Sequence, residues 1–454
     1  MTCFEKSPLR FKTETLLKKY DTFALAEPQE KNGVLSFDFS QNCDLSNGDV
    51  RVGVGVESIT LANGRGVIYD WSLSAPTAFF YCGEKFSFLS DENKLYHYDE
   101  SARKFQLAHA FGGAMKAIEA QDKNGVFHLY FCGKDGVFSY DVKNGVVRVL
   151  ESACVPVACA CQGRIFTAST NAIVYSAPFS TADFEESIDG AGKIVLPAET
   201  GEILDLVASG DAVFAFCQYG IWKLTVSGSA RDFRLEQTAF SCKDVIKGSA
   251  CVGNGVSGEK VFFFTQHGVY KLDKTGVERV CKNLTFDMKR VGQVCEHAYL
   301  DGKVIYNYRA KDNSVRNVVI DVETEKGYHA FTAEGVSNLR GKAVAVIDSI
   351  VYVIEPDFSL PTHRLAELVA ECCDFRVAGM KTLKKLRVFG DKQITLTVSN
   401  GRRSKTFILQ MQNGVAEADV KMRGEDFRLK FVLGNGARLD GLHAEVCRLI
   451  GVAK

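Results

Sequence analysis

Proline, tryptophan and methionine are all scarce in this chain, at 8, 2 and 6 of 454 residues. No stretch approaches the ~20 consecutive apolar residues that a membrane-crossing helix needs. The opening 21 residues are polar and mixed in charge, unlike a secretion signal. Net charge is also missing, because 55 Lys and Arg balance 55 Asp and Glu. No overall field therefore draws the chain to nucleic acid or to an anionic membrane. The expectation is a soluble protein with no membrane partner.

Catalytic and metal-binding patterns are absent as well. The eight histidines are scattered, with no H-x-x-x-H, H-E-x-x-H or C-x-x-C group, so the usual metal-ligand spacings are missing. There is no G-x-S-x-G elbow and no Walker loop, and Gly53 and Gly55 form a G-x-G without its third glycine. Glu185 and Glu186, with Asp183 and Asp189 nearby, read as solvated acids on a polar loop. The sequence thus predicts no catalytic residue, no metal, no cofactor and no enzyme. The fifteen cysteines are an odd number, and several sit inside apolar strand patterns, where a free thiol behaves as a small hydrophobe. They read as reduced thiols in a protein made in a cytosol.

What the chain does have is aromatic residues, glycine and a repeat. It carries 32 Phe, 15 Tyr and 40 Gly, a composition suited to pleated surfaces joined by tight turns. The segment 128–141, HLYFCGKDGVFSYD, returns as 213–224, VFAFCQYGIWKL, and again as 261–273, VFFFTQHGVYKLD. Each copy reads as an apolar strand, a turn ending in glycine and a second strand with an aromatic residue, which is a hairpin signature. Candidate hairpins fall at 58–71, 79–99, 128–141, 164–176, 212–224, 260–273, 303–321 and 343–355. The aromatic anchors Tyr96, Phe138, Tyr175, Trp222 and Tyr270 are 42, 37, 47 and 48 residues apart. Four antiparallel strands with their turns need about 40–50 residues, the period of a propeller blade. Cys82, Cys132, Cys217 and Thr265 read as one small-residue position before the turn. Asp99, Asp141 and Asp273 close three hairpins and read as turn caps.

The fold class predicted is all-β: a six- or seven-bladed β-propeller followed by a small β-sandwich. The boundaries expected are an N-terminal arm at 1–33, the propeller at 34–360 and a C-terminal docking domain at 361–454. Short N-terminal strands are expected to complete the last blade. The stretch 368–375 fits either helix or strand, and five or six strands follow it. From 376 to 454 there are sixteen Lys/Arg and seven Asp/Glu, so this part carries +9 and the remainder −9. Its densest basic residues are Arg402, Arg403 and Lys405 in a turn and Lys384 and Lys385 on a strand, and these five are the expected contact residues.

Several stretches resemble, in order, the propeller-bearing structural proteins of tailed bacteriophages. They are 37–55 (FDFSQNCDLSNGDVRVGVG), 173–184 (IVYSAPFSTADF), 192–196 (GKIVL), 201–206 (GEILDL), 212–224, 422–431 (MRGEDFRLKF) and 439–442 (LDGL). The relatives are the nozzle, tail-tubular and packaged-DNA-stabilisation proteins of short-tailed phages, with prophage cousins. The resemblance implies a non-enzymatic virion protein, made in the host bacterial cytoplasm and placed at the head–tail junction or tail. It also implies a homo-oligomeric ring around the DNA path, with portal, adaptor or tail proteins as partners. Two rivals make other expectations. A propeller glycoside hydrolase or lyase would gather carboxylates of raised pKa in its channel. A bacterial protein- or glycan-binding scaffold would expose an aromatic patch on one face.

Overall fold

The computed structural model describes residues 10–25, 34–37, 39–45, 47–59, 66–70, 72–141, 143–180, 183–188, 190–238, 245–288, 296–330, 332–339, 342–355, 366–371, 379–434 and 436–452. Two compact units emerge: Val56–Lys326 with Thr332–Pro356, and Met1–Gly55 with Gly327–Phe331 and Asp357–Lys454.

The first unit is a β-propeller built from seven successive antiparallel sheets. Blades 1 to 5 span 76–110, 115–150, 155–195, 203–237 and 251–279. Blade 6 contributes Glu296–Leu300, Lys303–Arg309 and Val315–Asp321 to this unit. Blade 7 comprises Glu334–Leu339, Lys342–Ile347 and Ile350–Glu355, and Gly55–Ser58 joins it from the start of the unit as its outermost strand. The ring is thus closed by a strand from the other end of the sequence, as expected.

The repeated motif is the middle pair of strands in each blade. Those strands are covered by a neighbouring blade on each face, so they read as near-continuous apolar runs: Phe262, Phe263 and Phe264 are all fully buried. Each apolar cluster straddles two blades. Phe131 and Phe138 of blade 2 pack with Phe80 and Leu95 of blade 1, and Phe216 of blade 4 lies 4.9 Å from Phe263 of blade 5. Val344, Val346 and Val351 of blade 7 join Phe79, Phe86 and Phe88 of blade 1, which seals the circle. Burial of each such ring contributes about 1.5–3 kcal/mol.

Three expectations need correction here. Among the described residues of 58–71, 58–59 and 66–70 do not pair with each other as a hairpin. Instead, Ile59 N–H donates to Val351 O at 3.1 Å, Val351 N–H to Val67 O at 3.1 Å and Tyr69 N–H to Ser349 O at 2.8 Å, so the segments flank blade 7. The stretch 79–99 spans three strands rather than two: Pro76–Cys82, Lys85–Ser90 and Lys94–Asp99. Cys82 consequently ends an innermost strand, and Ser90 ends the second strand of blade 1 as Cys217 and Thr265 end theirs. In blade 2 that last place, opposite the turn glycine, is held by Gly133, and Cys132 stands one residue before it.

The second unit has two sheets that share one core. One orders Val415–Gly424, Lys381–Asp391, Arg438–Val452, Val50–Val52 and Cys43–Asp44, and Arg10–Tyr20 also pairs with Arg438–Val452. The other orders Ser404–Gln410, Gln393–Ser399, Arg428–Leu433, Ala366–Glu371 and Phe39–Gln41. Strict alternation buries Ile394, Leu396 and Val398 together with Leu429, Phe431 and Leu433. Leu383, Leu386 and Val388 and Leu442, Ala444 and Val446 complete the core from the other sheet. Two packed layers of this kind are what a sandwich requires.

The boundary expected at 33 is therefore misplaced, whereas the second unit resumes at Asp357, close to the boundary expected at 360. Arg10–Tyr20 is no arm, because it runs antiparallel to Arg438–Val452 from Arg10 opposite Val452 to Tyr20 opposite Leu442. Residues 34–55 also belong to this unit and not to the propeller. The ambiguous segment 368–375 is strand over Ala366–Glu371, and 372–375 lie outside the described residues. Pro28, Pro356 and Pro361 lie outside them too.

Ring closure rests partly on Ser337 of blade 7, whose hydroxyl accepts from Phe79 N–H of blade 1 at 2.9 Å in a buried setting. Ser337→Ala leaves that N–H without its partner and is expected to cost about 1–3 kcal/mol. Urea unfolding checks this, and a loss below ~0.5 kcal/mol, the level of an ordinary surface change, would show that closure does not use the bond.

Candidate functional site

Polar side chains on the innermost strands reach across to the next blade. Asp205 of blade 4 accepts from Ala250 N–H at 2.7 Å and from Leu206 N–H at 2.9 Å. Glu296 of blade 6 accepts from Val336 N–H of blade 7 at 3.3 Å. His297 lies 3.0 Å from Gly248 O, and a carbonyl only accepts, so Nδ1 carries the proton. Asn338 of blade 7 clamps Tyr299 of blade 6 by accepting from its N–H at 3.0 Å and donating to its carbonyl at 2.9 Å. The Tyr299 hydroxyl donates to Asn254 O of blade 5 at 3.2 Å. A buried ionic knot adds to these bonds: Lys271 contacts Glu325 at 2.7 Å and Asp273 at 3.2 Å, while Lys260 contacts Glu325 at 2.9 Å.

Three of these groups have strongly altered acidities. Burial raises Asp205 to about 6, against the opposing pull of the Lys116 charge and the two N–H donors. Burial raises Glu296 to about 7, opposed by Val336 N–H, Lys116 and Arg309 and reinforced by Asp91. Burial and the Lys116 charge lower His297 to about 3, so the ring is neutral at physiological pH. Lys116, on the innermost strand of blade 2, thus acts on groups of blades 4 and 6. Sequence reading singled out none of Asp205, Glu296 and Lys116, and took His297 only as one of eight scattered histidines. The available signal was a lone acid, Asp205, inside the apolar run of Ile203–Ser209; apolar periodicity has no place for such a group unless it is partnered.

The recurrent aspartates do cap turns. Asp99 accepts from Ser101 and Ala102 N–H at 2.9 and 3.0 Å, and Asp141 from Lys143 and Asn144 N–H at 2.8 and 2.7 Å. Asp273 does the same with Thr275 and Gly276, and Asp321 with Glu323 and Thr324. A cleft of ≈ 430 Å³ on blade 1 is lined by Glu84, His97, Asp99, Glu100, Gln106 and Leu107, among others. Behind its His97, the buried Ser87 hydroxyl donates to Lys85 O at 2.9 Å and lies 2.8 Å from His97 Nδ1. The histidine is therefore the donor of that pair, and the serine is not activated as a nucleophile.

The five expected contact residues separate into two groups. Lys384 and Lys385 flank a register shift in Lys381–Asp391 that keeps both Leu383 and Leu386 in the core and turns two consecutive lysines outward. Both are answered by acids on adjacent strands: Lys384 by Glu445 at 3.6 Å and Lys385 by Glu417 at 2.5 Å. Arg387 adds a second contact to Glu417 at 2.6 Å, and Arg448 meets Glu14 at 2.7 Å. Arg402 and Arg403 occupy a turn whose backbone N–H groups are held by Asn400 Oδ1, at 3.1 and 2.9 Å. Both are exposed, and neither guanidinium makes an ion pair among the described residues. Lys405 donates to Val420 O at 2.6 Å. Lys384 and Lys385 lie on one sheet and 402–405 at the edge of the other.

The acidity of Glu296 gives a pH test. Its folded pKa lies above the usual 4.5, so the folded state holds a proton that the unfolded chain releases. Stability contributed by the neutral form is complete below about 4.5 and is lost as pH rises through about 7. Glu296→Gln keeps an acceptor for Val336 N–H and removes the charge. It is expected to match the parent at pH 4.5 and to be more stable at alkaline pH by about 1–3 kcal/mol. The lower end applies because Glu296 keeps part of its surface open to water. Parallel melting curves across this range would show the same pH slope for both proteins if Glu296 is not so placed.

No protein-family model and no curated protein matches the chain. Among solved structures, it is similar to the β-propeller domain of Myceliophteria thermophila Cps50 (Swd1), at 12% identity and TM-score 0.39, covering 62% of this chain and 96% of that one. It is also similar to a virginiamycin B lyase from Staphylococcus aureus, at 11% identity and TM-score 0.42, covering 66% and 99%. BamB from Moraxella catarrhalis is a third, at 11% identity and TM-score 0.37, covering 75% and 98%. At these identities the likeness is one of fold alone.

Proposed function

We propose that this chain is a non-enzymatic structural protein, a rigid scaffold that binds other proteins and copies of itself in the virion of a tailed phage or prophage. Its place is the head–tail junction or the tail, with portal, adaptor or tail proteins as neighbours and the DNA path through the ring. One observation carries the non-enzymatic part: the inner acids Asp205 and Glu296 are each tied to a backbone N–H of the adjoining blade or its lead-in. Acids engaged in this way stiffen a ring, whereas catalytic carboxylates must turn toward a substrate. The virion assignment is supported by the segments that resemble phage propeller proteins, from 37–55 through 439–442.

A channel enzyme is the second reading, favoured by the raised acidity constants of Asp205 and Glu296 and by Lys116, which makes no ion pair among the described residues. The two readings separate on assembly. The purified protein is expected to form closed rings, visible in negative stain and as discrete oligomers by mass photometry. A strictly monomeric protein at every accessible concentration, alone or with phage adaptor and portal proteins, would remove the assembly reading.

A further inference from the structure

The two sheets of the second unit present opposite kinds of outer surface. On the sheet built around Lys381–Asp391, charges are paired across strands through Glu417, Glu445 and Glu14. The sheet that ends at Ser404–Gln410 instead carries Thr395, Thr397, Thr406, Ile408 and Val432 toward its outer side, together with Arg428 and Lys430. Ile408 is 67% exposed, and it sits opposite Thr395, which in turn sits opposite Val432. Ser404–Gln410 is the last strand of its sheet and pairs on one side only. It has no proline and no register shift. Its one lysine, Lys405, is turned to Val420 O. Edge strands are ordinarily guarded by such devices, and an unguarded one with an exposed β-branched residue is a docking edge. Arg402 and Arg403, without ion pairs among the described residues, mark its end with positive charge.

The same chain carries a segment of complementary chemistry. Between two strands of blade 3, residues 183–188 read DFEESI. Asp183, Glu185 and Glu186 are exposed there, and Ile188 is 69% exposed. Among the described residues, only the weak surface pair of Glu186 with Lys193, at 3.5 Å, engages one of these acids with a cation. An exposed isoleucine just after a pair of glutamates thus faces solvent in the first unit, and in the second an exposed isoleucine lies on the strand that follows Arg402 and Arg403.

Building on the assembly reading above, we propose that the edge strand Ser404–Gln410 with Arg402 and Arg403 is the docking site for the acidic loop 183–188 of a second copy of this chain. Ile188 covers Ile408, and Glu185 and Glu186 meet the two arginines. The contact is heterologous, because the two surfaces differ, and heterologous contacts propagate into a ring when the rotation closes. Its charged rim sets partner orientation and makes association salt-dependent.

Charge exchange tests this on the full chain. Arg402→Glu with Arg403→Glu, and separately Glu185→Arg with Glu186→Arg, are each expected to weaken self-association by about tenfold or more, read by mass photometry and sedimentation. All four positions are exposed, and melting temperature with far-UV circular dichroism verifies that each variant folds. An equimolar mixture of the two variants restores complexes, because each then offers one reversed surface to the other. Ile408→Lys is expected to abolish association through the edge. If the parent assembles and the reversals leave it unchanged, or the mixture fails to recover, the docking site is wrong while the assembly reading stands. If the parent never self-associates, both fall.

Discussion

An innermost propeller strand has a hydrogen-bonded neighbour on one side only. On the other side its backbone groups face the axis or the next blade with no ladder to join, and buried groups of this kind must find partners. This chain meets that constraint with side chains. Asp205, Glu296, Ser337 and Asn338 each take a backbone N–H from an adjacent blade or the turn leading into it, and His297 gives a proton to a carbonyl. The apolar clusters between blades hold the sheets face to face, but they are non-directional. The bonds near the axis add direction, fixing where each blade meets the next. Gly335 shows how close that approach is: it has a positive φ of 70°, and a β-carbon there would lie 2.5 Å from Pro76 O.

The same constraint explains what could be read in the sequence. Middle strands are sandwiched between blades and must be apolar throughout, so Val261 to Thr265 repeats Val213 to Cys217 closely enough to see. Aspartate turn caps were equally legible, because an Asx cap needs only its own next few residues. Innermost strands are half polar for reasons that lie in another blade. Glu296 answers Val336, forty residues away, and no local pattern announces that. Outermost strands such as Arg234–Gln237 are short and mostly exposed, so they leave almost no apolar signal. Arg10–Tyr20 was misread for a related reason: its partner is Arg438–Val452, at the far end of the chain.

Net charge was legible and its placement was not. The +9 of the C-terminal part does not show that most cations on one sheet face are answered by Glu14, Glu417 and Glu445. Nor does it show that a register shift turns Lys384 and Lys385 outward together. Exposed pairs of this sort contribute little stability, about 0–1 kcal/mol each. Their larger consequence is to meet the charge of Lys384, Lys385, Arg387 and Arg448 on that face. Arg402 and Arg403 lack such answers among the described residues.

Raised acidity constants in a channel usually nominate an active site, and the inner ring is where those of Asp205 and Glu296 occur. The inference depends on what their oxygens are doing. Asp205 has each oxygen occupied by a different backbone N–H, so rotating it toward a ligand would break both bonds and leave two donors without partners. The raised pKa then measures the cost of holding a carboxylate away from water, opposed by the Lys116 charge. A scaffold can bear that cost because the same group orients the junction between blades 4 and 5. Substrate chemistry would need a carboxylate free to move, and at Asp205 the geometry removes that freedom.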